Sequence, residues 1–151
     1  MLIERPALDA LLPHAEKMCL LDGVVAWDIT TIHCVTRSHC RLDNPLRSGQ
    51  GLSALCSVEY GAQAMAIHSA LLNSDNAGPA RNGVLVSVRD LVLHGQWLHN
   101  ATGPLDVMGM LEVEDGKCLV HRFWIEDDGH PLVAGRLMVL RTRERLWKNE
   151  H

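Results

Sequence analysis

Residues 52–72 form the stretch that most constrains the fold, with the sequence LSALCSVEYGAQAMAIHSALL. It contains no proline and one formal charge, Glu59. At about 1.5 Å per residue, a helix of this length spans roughly 30 Å, the width of a small domain. Its surface is apolar or small almost all the way round, which predicts burial. Because Glu59, Gln63 and His68 suit lipid poorly, we expect the helix to lie inside a protein sheet and not in a membrane.

The length and composition predict one domain over residues 1–151. A chain of 151 residues with 47% hydrophobic content has room for one sizeable core. The net charge of −4 and the single Phe and Tyr argue against nucleic acid as a partner, since they give neither a basic field nor a stacking platform. The N-terminus lacks signal-peptide features, and five cysteines without framework spacing favour reduced thiols in a cytoplasmic protein. Residues 142–151 are expected to form a charged, exposed tail.

The rest of the chain is rich in β-forming patterns. Two strands are predicted before the helix, at residues 18–27 and 32–40, and four after it, at residues 83–94, 105–113, 117–126 and 132–141. Asp-Gly pairs between the last three segments indicate hairpins. In the segment at 105–113, alternation places Leu105, Val107, Leu111 and Val113 on one face. The order predicts an α+β domain in which one antiparallel sheet, ending in a four-stranded meander, wraps around the long helix.

Nine histidines and five cysteines invite a metal or cysteine hypothesis, which the spacings weaken. His33-Cys34 and His39-Cys40 are six residues apart on one predicted strand, about 20 Å at ~3.3 Å per residue and too far for one ion. Neither CxxC nor HExxH occurs, so we predict no metal site. Cys56 has no cationic neighbour in sequence, which favours a small buried residue over a thiolate. The other histidines expected to pack or lie at the surface are His68, His94, His99, His121 and His130.

Glu59 is the residue of the helix that burial alone does not explain. No basic residue lies at helical spacing from it, and a carboxylate left alone in a core is costly. It is therefore either paired by another part of the fold or used as an acid or base, and the residues leave both readings open. His14, which follows Pro13 in a predicted loop, is the second candidate, although a loop histidine can simply cap a backbone group.

The segments around both candidates resemble one family. The sequence LLPH at residues 11–14, followed by Met18 and by LLD at residues 20–22, resembles the LPH…M.LLD opening of the hot-dog-fold 3-hydroxyacyl-[acyl-carrier-protein] dehydratases. The sequence VEYGAQA at residues 58–64 resembles the E-x-x-A-Q segment of their central helix. The most similar branch is that of the bacterial aryl polyene pathway, whose helix carries a VEYMAQA-like sequence. The resemblance extends over about residues 11–140.

The resemblance implies a hot-dog fold and dehydration of a 3-hydroxyacyl thioester, bound to an acyl carrier protein, in fatty acid or polyene biosynthesis. It implies no cofactor and no metal. Such chemistry needs a base for the C2 proton and a group that protonates or orients the departing hydroxyl, roles that we assign to His14 and Glu59. Donors at the helix start would stabilise the enolate oxygen. The residues expected to bind substrate are Gly51, Leu52, Ser53, Ala54 and Gln63.

The family also predicts the assembly. Hot-dog proteins usually pair as dimers with active sites built from both subunits, so the resemblance implies a homodimer, an arrangement that allows His14 and Glu59 to come from different chains. Association with another hot-dog subunit is the other arrangement.

Two departures from the family pattern keep alternatives open. The common dehydratases carry a catalytic histidine in a G-H-F-P motif ahead of the helix, where this chain reads DNPLR at residues 43–47. Gly61 also replaces the family's methionine. A hot-dog thioesterase using the helix carboxylate, and a non-catalytic acyl-binding or partner subunit, are the rival hypotheses.

Overall fold

The computed structural model describes residues 2–5, 7–12, 19–73 and 83–141. His14, the predicted base, and the predicted tail at residues 142–151 lie outside these ranges. Within them the chain forms one α-helix and seven strands, and the helix is not long and apolar enough to cross a membrane. These elements are β1 (Ile3–Glu4), β2 (Gly23–Trp27), β3 (Thr31–Thr36), α1 (Ser57–Leu72), β4 (Gly83–Leu93), β5 (Leu105–Glu114), β6 (Cys118–Asp127) and β7 (His130–Arg141).

The strands form one antiparallel sheet with the order β1-β2-β3-β5-β6-β7-β4. The predicted single sheet with one long helix is therefore confirmed. The predicted four-stranded meander is correct for β5, β6 and β7 but wrong for β4, which pairs with β7 at the far edge. The helix explains this placement, because α1 lies against one face of the sheet and contacts strands from β3 to β4. It thus connects the two sides of the sheet.

The helix begins at Ser57, five residues later than the sequence predicts. Before it, Gly51 has a φ of +122°, and the next residues pair with the segment after β4. Leu98 N–H donates to the Leu52 carbonyl at 2.9 Å, and Ala54 N–H donates to the Gln96 carbonyl at 2.8 Å. This extended pairing occupies backbone groups that a helix would need. A short 3₁₀ turn, Ala54–Cys56, then leads into α1.

Two strand predictions also need correction. Residues 32–40 do not form one strand, since β3 ends at Thr36 and Ser38–Cys40 is a 3₁₀ turn. The strand-length argument against a shared metal site at His33 and His39 therefore fails. No group of three His, Cys, Asp or Glu side chains suited to a metal ion occurs in the part of the chain that the structure describes. Val113 was expected on the buried face but is exposed, because a bulge after Leu111 shifts the register.

The core lies between α1 and the inner face of the sheet. Alternate residues of β5, β6 and β7 meet Tyr60, Ala64 and Ile67 of the helix. Gly61 allows the helix to lie close to β6, because a Cβ at this position would be 2.6 Å from the Phe123 ring. The buried Phe123 therefore fills the space that a longer side chain at position 61 would need. This contact accounts for glycine at a position where the family has methionine.

Candidate active site

Glu59 lies in the first turn of α1 and is partly exposed. The expectation that it sits in the core is wrong, because one side of the helix is incompletely covered. No residue within the described ranges forms a hydrogen bond or ion pair with its carboxylate. Glu59 is thus an accessible carboxylate without a hydrogen-bonding or ion-pair partner among the described residues. The partly exposed residues on α1 are Val58, Glu59, Ala62, Ala66, Ser69, Ala70 and Leu72.

Gln63, one turn after Glu59, anchors the segment that follows His14 in sequence. The Leu20 N–H donates to Gln63 Oε1 at 2.8 Å, and both residues are buried. Gln63 was predicted to bind substrate, whereas this oxygen is used by the backbone. The chain six residues after His14 is therefore attached to the helix close to Glu59.

The backbone donors expected to hold an enolate oxygen are largely engaged already. Gly51 N–H donates to the Ser48 carbonyl at 3.1 Å, and Leu52 N–H donates to His99 Nδ1 at 3.0 Å. Ala54 N–H donates to the Gln96 carbonyl at 2.8 Å. No acceptor for the Ser53 N–H is found among the residues of known placement. Within the described part of the chain, Ser53 is therefore the one residue from Gly51 to Ala54 whose N–H has no acceptor.

His99 holds the backbone of the segment that precedes the helix, a role that the sequence did not reveal. Its ring lies where a Cβ on Gly51 would come within 2.1 Å of Cε1. Gly51 also has a φ that side-chain-bearing residues rarely adopt. Glycine at position 51 thus makes the Leu52–His99 hydrogen bond sterically allowed. The glycine ahead of an apolar helix was the available sequence signal, but nothing in the sequence linked it to a histidine 48 residues later.

A buried chain of hydroxyl groups lies beside this site. Asn44 Nδ2 donates to the Tyr60 hydroxyl at 3.0 Å, and Tyr60 Oη lies 2.7 Å from Ser38 Oγ. Ser38 Oγ lies 2.9 Å from Thr36 Oγ1, which in turn bonds to the Leu20 carbonyl. All five residues are at most 5% exposed. Burial raises the pKa of Tyr60, which keeps its hydroxyl protonated and able to donate. We call this arrangement the hydroxyl chain.

A second buried network lies toward the C-terminal end of α1. His68 Nε2 lies 2.8 Å from the Asp28 carbonyl, and His68 Nδ1 lies 3.1 Å from His121 Nε2. A carbonyl can only accept, so His68 carries its proton on Nε2 and His121 donates to Nδ1. His121 Nδ1 is then a buried acceptor, and no described residue donates to it. Burial, and then the neighbouring His68, lower the pKa of His121 to about 3.

Cys56 does not have the environment of a nucleophile. It immediately precedes α1 and is partly buried, and its Sγ lies 3.8 Å from the Leu46 carbonyl. Burial raises the pKa of the Cys56 thiol, which disfavours the reactive thiolate. The prediction that Cys56 is a packing residue agrees with this environment.

Comparison with known proteins identifies the family. The family model for the ApeP dehydratase matches residues 6–148. The chain belongs to the ApeP-like dehydratase family. The predicted resemblance to the aryl polyene branch of the dehydratases is therefore confirmed. No curated protein sequence is significantly similar to this chain.

Solved structures confirm the hot-dog fold. The ApeP-like chain is similar to the dehydratase heterocomplex ApeI:P from Xenorhabdus doucetiae, with a TM-score of 0.81 and 23% identity over 91% of each chain. A thioesterase from Pseudomonas aeruginosa has a TM-score of 0.60 and 15% identity over 94% of this chain and 97% of its own. A thioesterase from Haemophilus influenzae has the same TM-score and identity over 100% and 97%. At these identities the likenesses establish the fold alone.

Proposed function

We propose that this ApeP-like dehydratase removes water from a 3-hydroxyacyl thioester on an acyl carrier protein, giving the trans-2-enoyl thioester. The family match over residues 6–148 carries the proposal. An accessible carboxylate in the first turn of α1 supports it, since no described partner neutralises that group. We place the reaction in cytoplasmic fatty acid or polyene biosynthesis and invoke no cofactor.

In the proposed reaction, His14 removes the C2 proton and the C3–O bond breaks. Glu59, directly or through a water molecule, protonates the departing hydroxyl, or orients it while the proton that His14 took from C2 is passed to it, so that it leaves as water. The enolate oxygen that develops at the thioester needs a donor, and the Ser53 N–H near the start of the helix is the candidate. Gly51, Leu52, Ala54 and Gln63 shape this part of the site by holding its backbone. The acyl chain would lie against the small residues of the helix.

His14 is assigned as the base because this sequence has no histidine where the common dehydratases carry their catalytic one. Residues 43–47 contain no histidine, and Asn44 in that segment is buried and bonded to Tyr60. The usual second histidine therefore has no equivalent there. His14 is the histidine whose following segment is attached to α1 beside Glu59 through Gln63.

The test compares His14→Ala and Glu59→Gln with wild type on a 3-hydroxyacyl thioester, following the absorbance of the conjugated enoyl product. Each variant should lose at least about 100-fold in kcat, the usual range for an acid or base. Matched controls are His130→Ala, at the first residue of β7, and Glu126→Gln, on β6, which should retain activity. A wild type that neither forms enoyl product nor hydrates it in reverse contradicts the proposal. Release of free thiol without enoyl product would indicate a thioesterase instead.

We further propose that β4 pairs with a second hot-dog subunit, in a homodimer or with a different chain. β4 is an edge strand with β7 as its neighbour in the described sheet, and its residues are largely exposed. Val84, Val86 and Val92 are 51%, 48% and 49% exposed, an apolar edge that proteins rarely leave open. The similar ApeI:P structure is itself a dehydratase heterocomplex.

Two measurements test this arrangement. Val86→Lys should convert the purified assembly to monomers in light scattering, whereas Ile29→Lys, at a 79% exposed position in the turn before β3, should leave it intact. If His14 and Glu59 come from different chains, mixing the two inactive variants restores activity, because each mixed dimer contains one complete site. Mixed dimers without activity would show that both residues act within one chain.

A further inference from the structure

The backbone of Leu20 is hydrogen-bonded through both its N–H and its carbonyl, and both hydrogen bonds lead to residues of α1. Its N–H donates to Gln63 on the helix. Its carbonyl accepts from Thr36 at the end of β3, and Thr36 is linked through Ser38 to Tyr60 on the same helix. Tyr60 and Gln63 are three residues apart and therefore share a side of the helix. We call this closed set of contacts the Leu20 clamp.

The protons of the hydroxyl chain can be arranged in one direction only. The Leu20 carbonyl must accept, so the Thr36 hydroxyl donates to it, and Ser38 then donates to Thr36. Tyr60 therefore donates to Ser38, and it accepts from Asn44 Nδ2. Each hydroxyl in the chain thus donates once and accepts at least once. Buried networks that are fully satisfied rigidify a structure, and their bonds polarise one another.

The Leu20 clamp contacts the helix through residues close to Glu59. Tyr60 is the next residue in sequence, and Gln63 lies one turn further along α1. On the other side, Leu20 belongs to the segment that leads directly from position 14. A shift of the Leu20 peptide would therefore change the distance between that segment and the helix carboxylate. Misplacing a reacting group by about 1 Å can cost on the order of 100-fold in rate.

We propose that Thr36 is a positioning residue of the active site, acting through the Leu20 clamp to hold the segment before β2 at a fixed distance from Glu59. The inference rests on the proposed dehydratase function. In the proposed reaction, Thr36 does not act on a reacting atom directly. The effect of Thr36 passes through its hydrogen bond to the Leu20 carbonyl. Ser38 and Tyr60, the hydroxyl-chain residues that connect Thr36 to the helix, fix the orientation of the Thr36 hydroxyl.

Three variants on β3 test the proposal. Thr36→Val keeps the shape of the side chain and removes the hydroxyl, and Thr36→Ser keeps the hydroxyl. Thr31→Val is the matched control, because it makes the same substitution on the same strand and removes a 3.1 Å bond to Asp28 far from the clamp. kcat and KM are measured on folded protein well below the melting temperature. Amide exchange at Leu20 is measured by NMR on the same samples.

We expect Thr36→Val to lower kcat by roughly 10- to 100-fold with little change in KM, since misorientation affects the reacting geometry more than binding. Thr36→Ser and Thr31→Val should stay near wild type. Leu20 amide exchange should quicken by at least about tenfold in Thr36→Val alone, as expected when a hydrogen-bonded segment opens. A Thr36→Val enzyme with the kcat of the Thr31→Val control overturns the proposal.

The amide measurement separates this inference from the function on which it rests. If wild type shows no dehydratase activity, the proposed function fails, and the exchange rate of Leu20 then decides the clamp by itself. Unchanged Leu20 exchange in Thr36→Val would show that the threonine does not hold the segment, which also overturns the proposal.

Discussion

Two buried polar networks tie α1 to the rest of the fold, and they differ in how fully their hydrogen bonds are satisfied. In the hydroxyl chain near Glu59, every hydroxyl has both a donor and an acceptor. In the network at the far end of the helix, His68 is satisfied by Asp28 and His121, but His121 Nδ1 has no partner in the part of the chain that the structure describes. One end of the helix is thus held by groups that do not titrate near neutral pH, and the other end by two histidines.

The difference has a physical consequence. A buried polar group left unpaired costs about 1–3 kcal/mol, whereas a completed chain can be nearly neutral or favourable. Protonating the histidine pair would also bury a charge, because both rings are at most 1% exposed. We therefore expect the end of the helix near Glu59 to keep its geometry over a wide pH range, and the far end to weaken in acid.

The largest effect expected is a loss of stability on acidification. The pKa of His121 is lowered to about 3 in the folded protein, from an ordinary value near 6.5, so the unfolded chain binds the proton more readily. The stability contributed by the neutral ring is complete above about pH 6.5 and is lost as the pH falls toward 3. At about 1.4 kcal/mol per pH unit, the loss is roughly 2 kcal/mol by pH 5. Urea unfolding between pH 7.5 and 5 measures it.

His121→Leu is the control for this acid effect. At pH 7.5 its free energy of unfolding should lie within about 1 kcal/mol of the wild-type value, because the substitution leaves His68 Nδ1 without a donor but removes the unpaired His121 Nδ1. Between pH 7.5 and 5 it should lose less stability than wild type does. An equal pH dependence in the two proteins would show that other groups cause the acid sensitivity.

A smaller effect is expected at Gly61, where the helix docks between the two networks. Gly61→Ala improves helix propensity by about 1 kcal/mol but forces a Cβ against the Phe123 ring, and overpacking typically costs about 1–3 kcal/mol. We expect net destabilisation in wild type. In a Phe123→Leu background the clash is removed, so the same substitution should stabilise. The same sign of effect in both backgrounds would show that Phe123 does not set the requirement for glycine.

The sequence predicted the fold well because the signals were local. The apolar run of residues 52–72 indicated one buried helix, and the Asp-Gly pairs marked the hairpins of β5, β6 and β7. It mispredicted the position of β4 because the edge that a strand joins depends on how the helix crosses the sheet. It misplaced the helix start because Gly51 and His99 are 48 residues apart.

The candidate site was predicted less completely, for a related reason. Glu59 stood out because a lone carboxylate in an apolar helix is visible in one stretch of sequence. Tyr60, Ser38 and Thr36 did not, since each is ordinary in its own segment and gains meaning only when β3 and α1 meet. The burial of Glu59 was overestimated, because the sequence does not show which side of a helix the sheet leaves uncovered.

The smallest effect expected is the coupling between the two ends of the hydroxyl chain. Tyr60→Phe and Thr36→Val should each cost about 1–3 kcal/mol, since each leaves buried polar groups unpaired. Once either substitution has interrupted the hydroxyl chain, the second substitution removes a weaker interaction. The double variant should therefore be more stable than the sum of the two single losses predicts, by about 0.5–2 kcal/mol in urea unfolding. Thr31→Val combined with Tyr60→Phe should be additive within about 0.5 kcal/mol, because Thr31 shares no partner with the chain. Additivity of both pairs would show that the hydroxyl chain is a series of independent hydrogen bonds, and the contrast between the two ends of the helix would then reduce to the histidines alone.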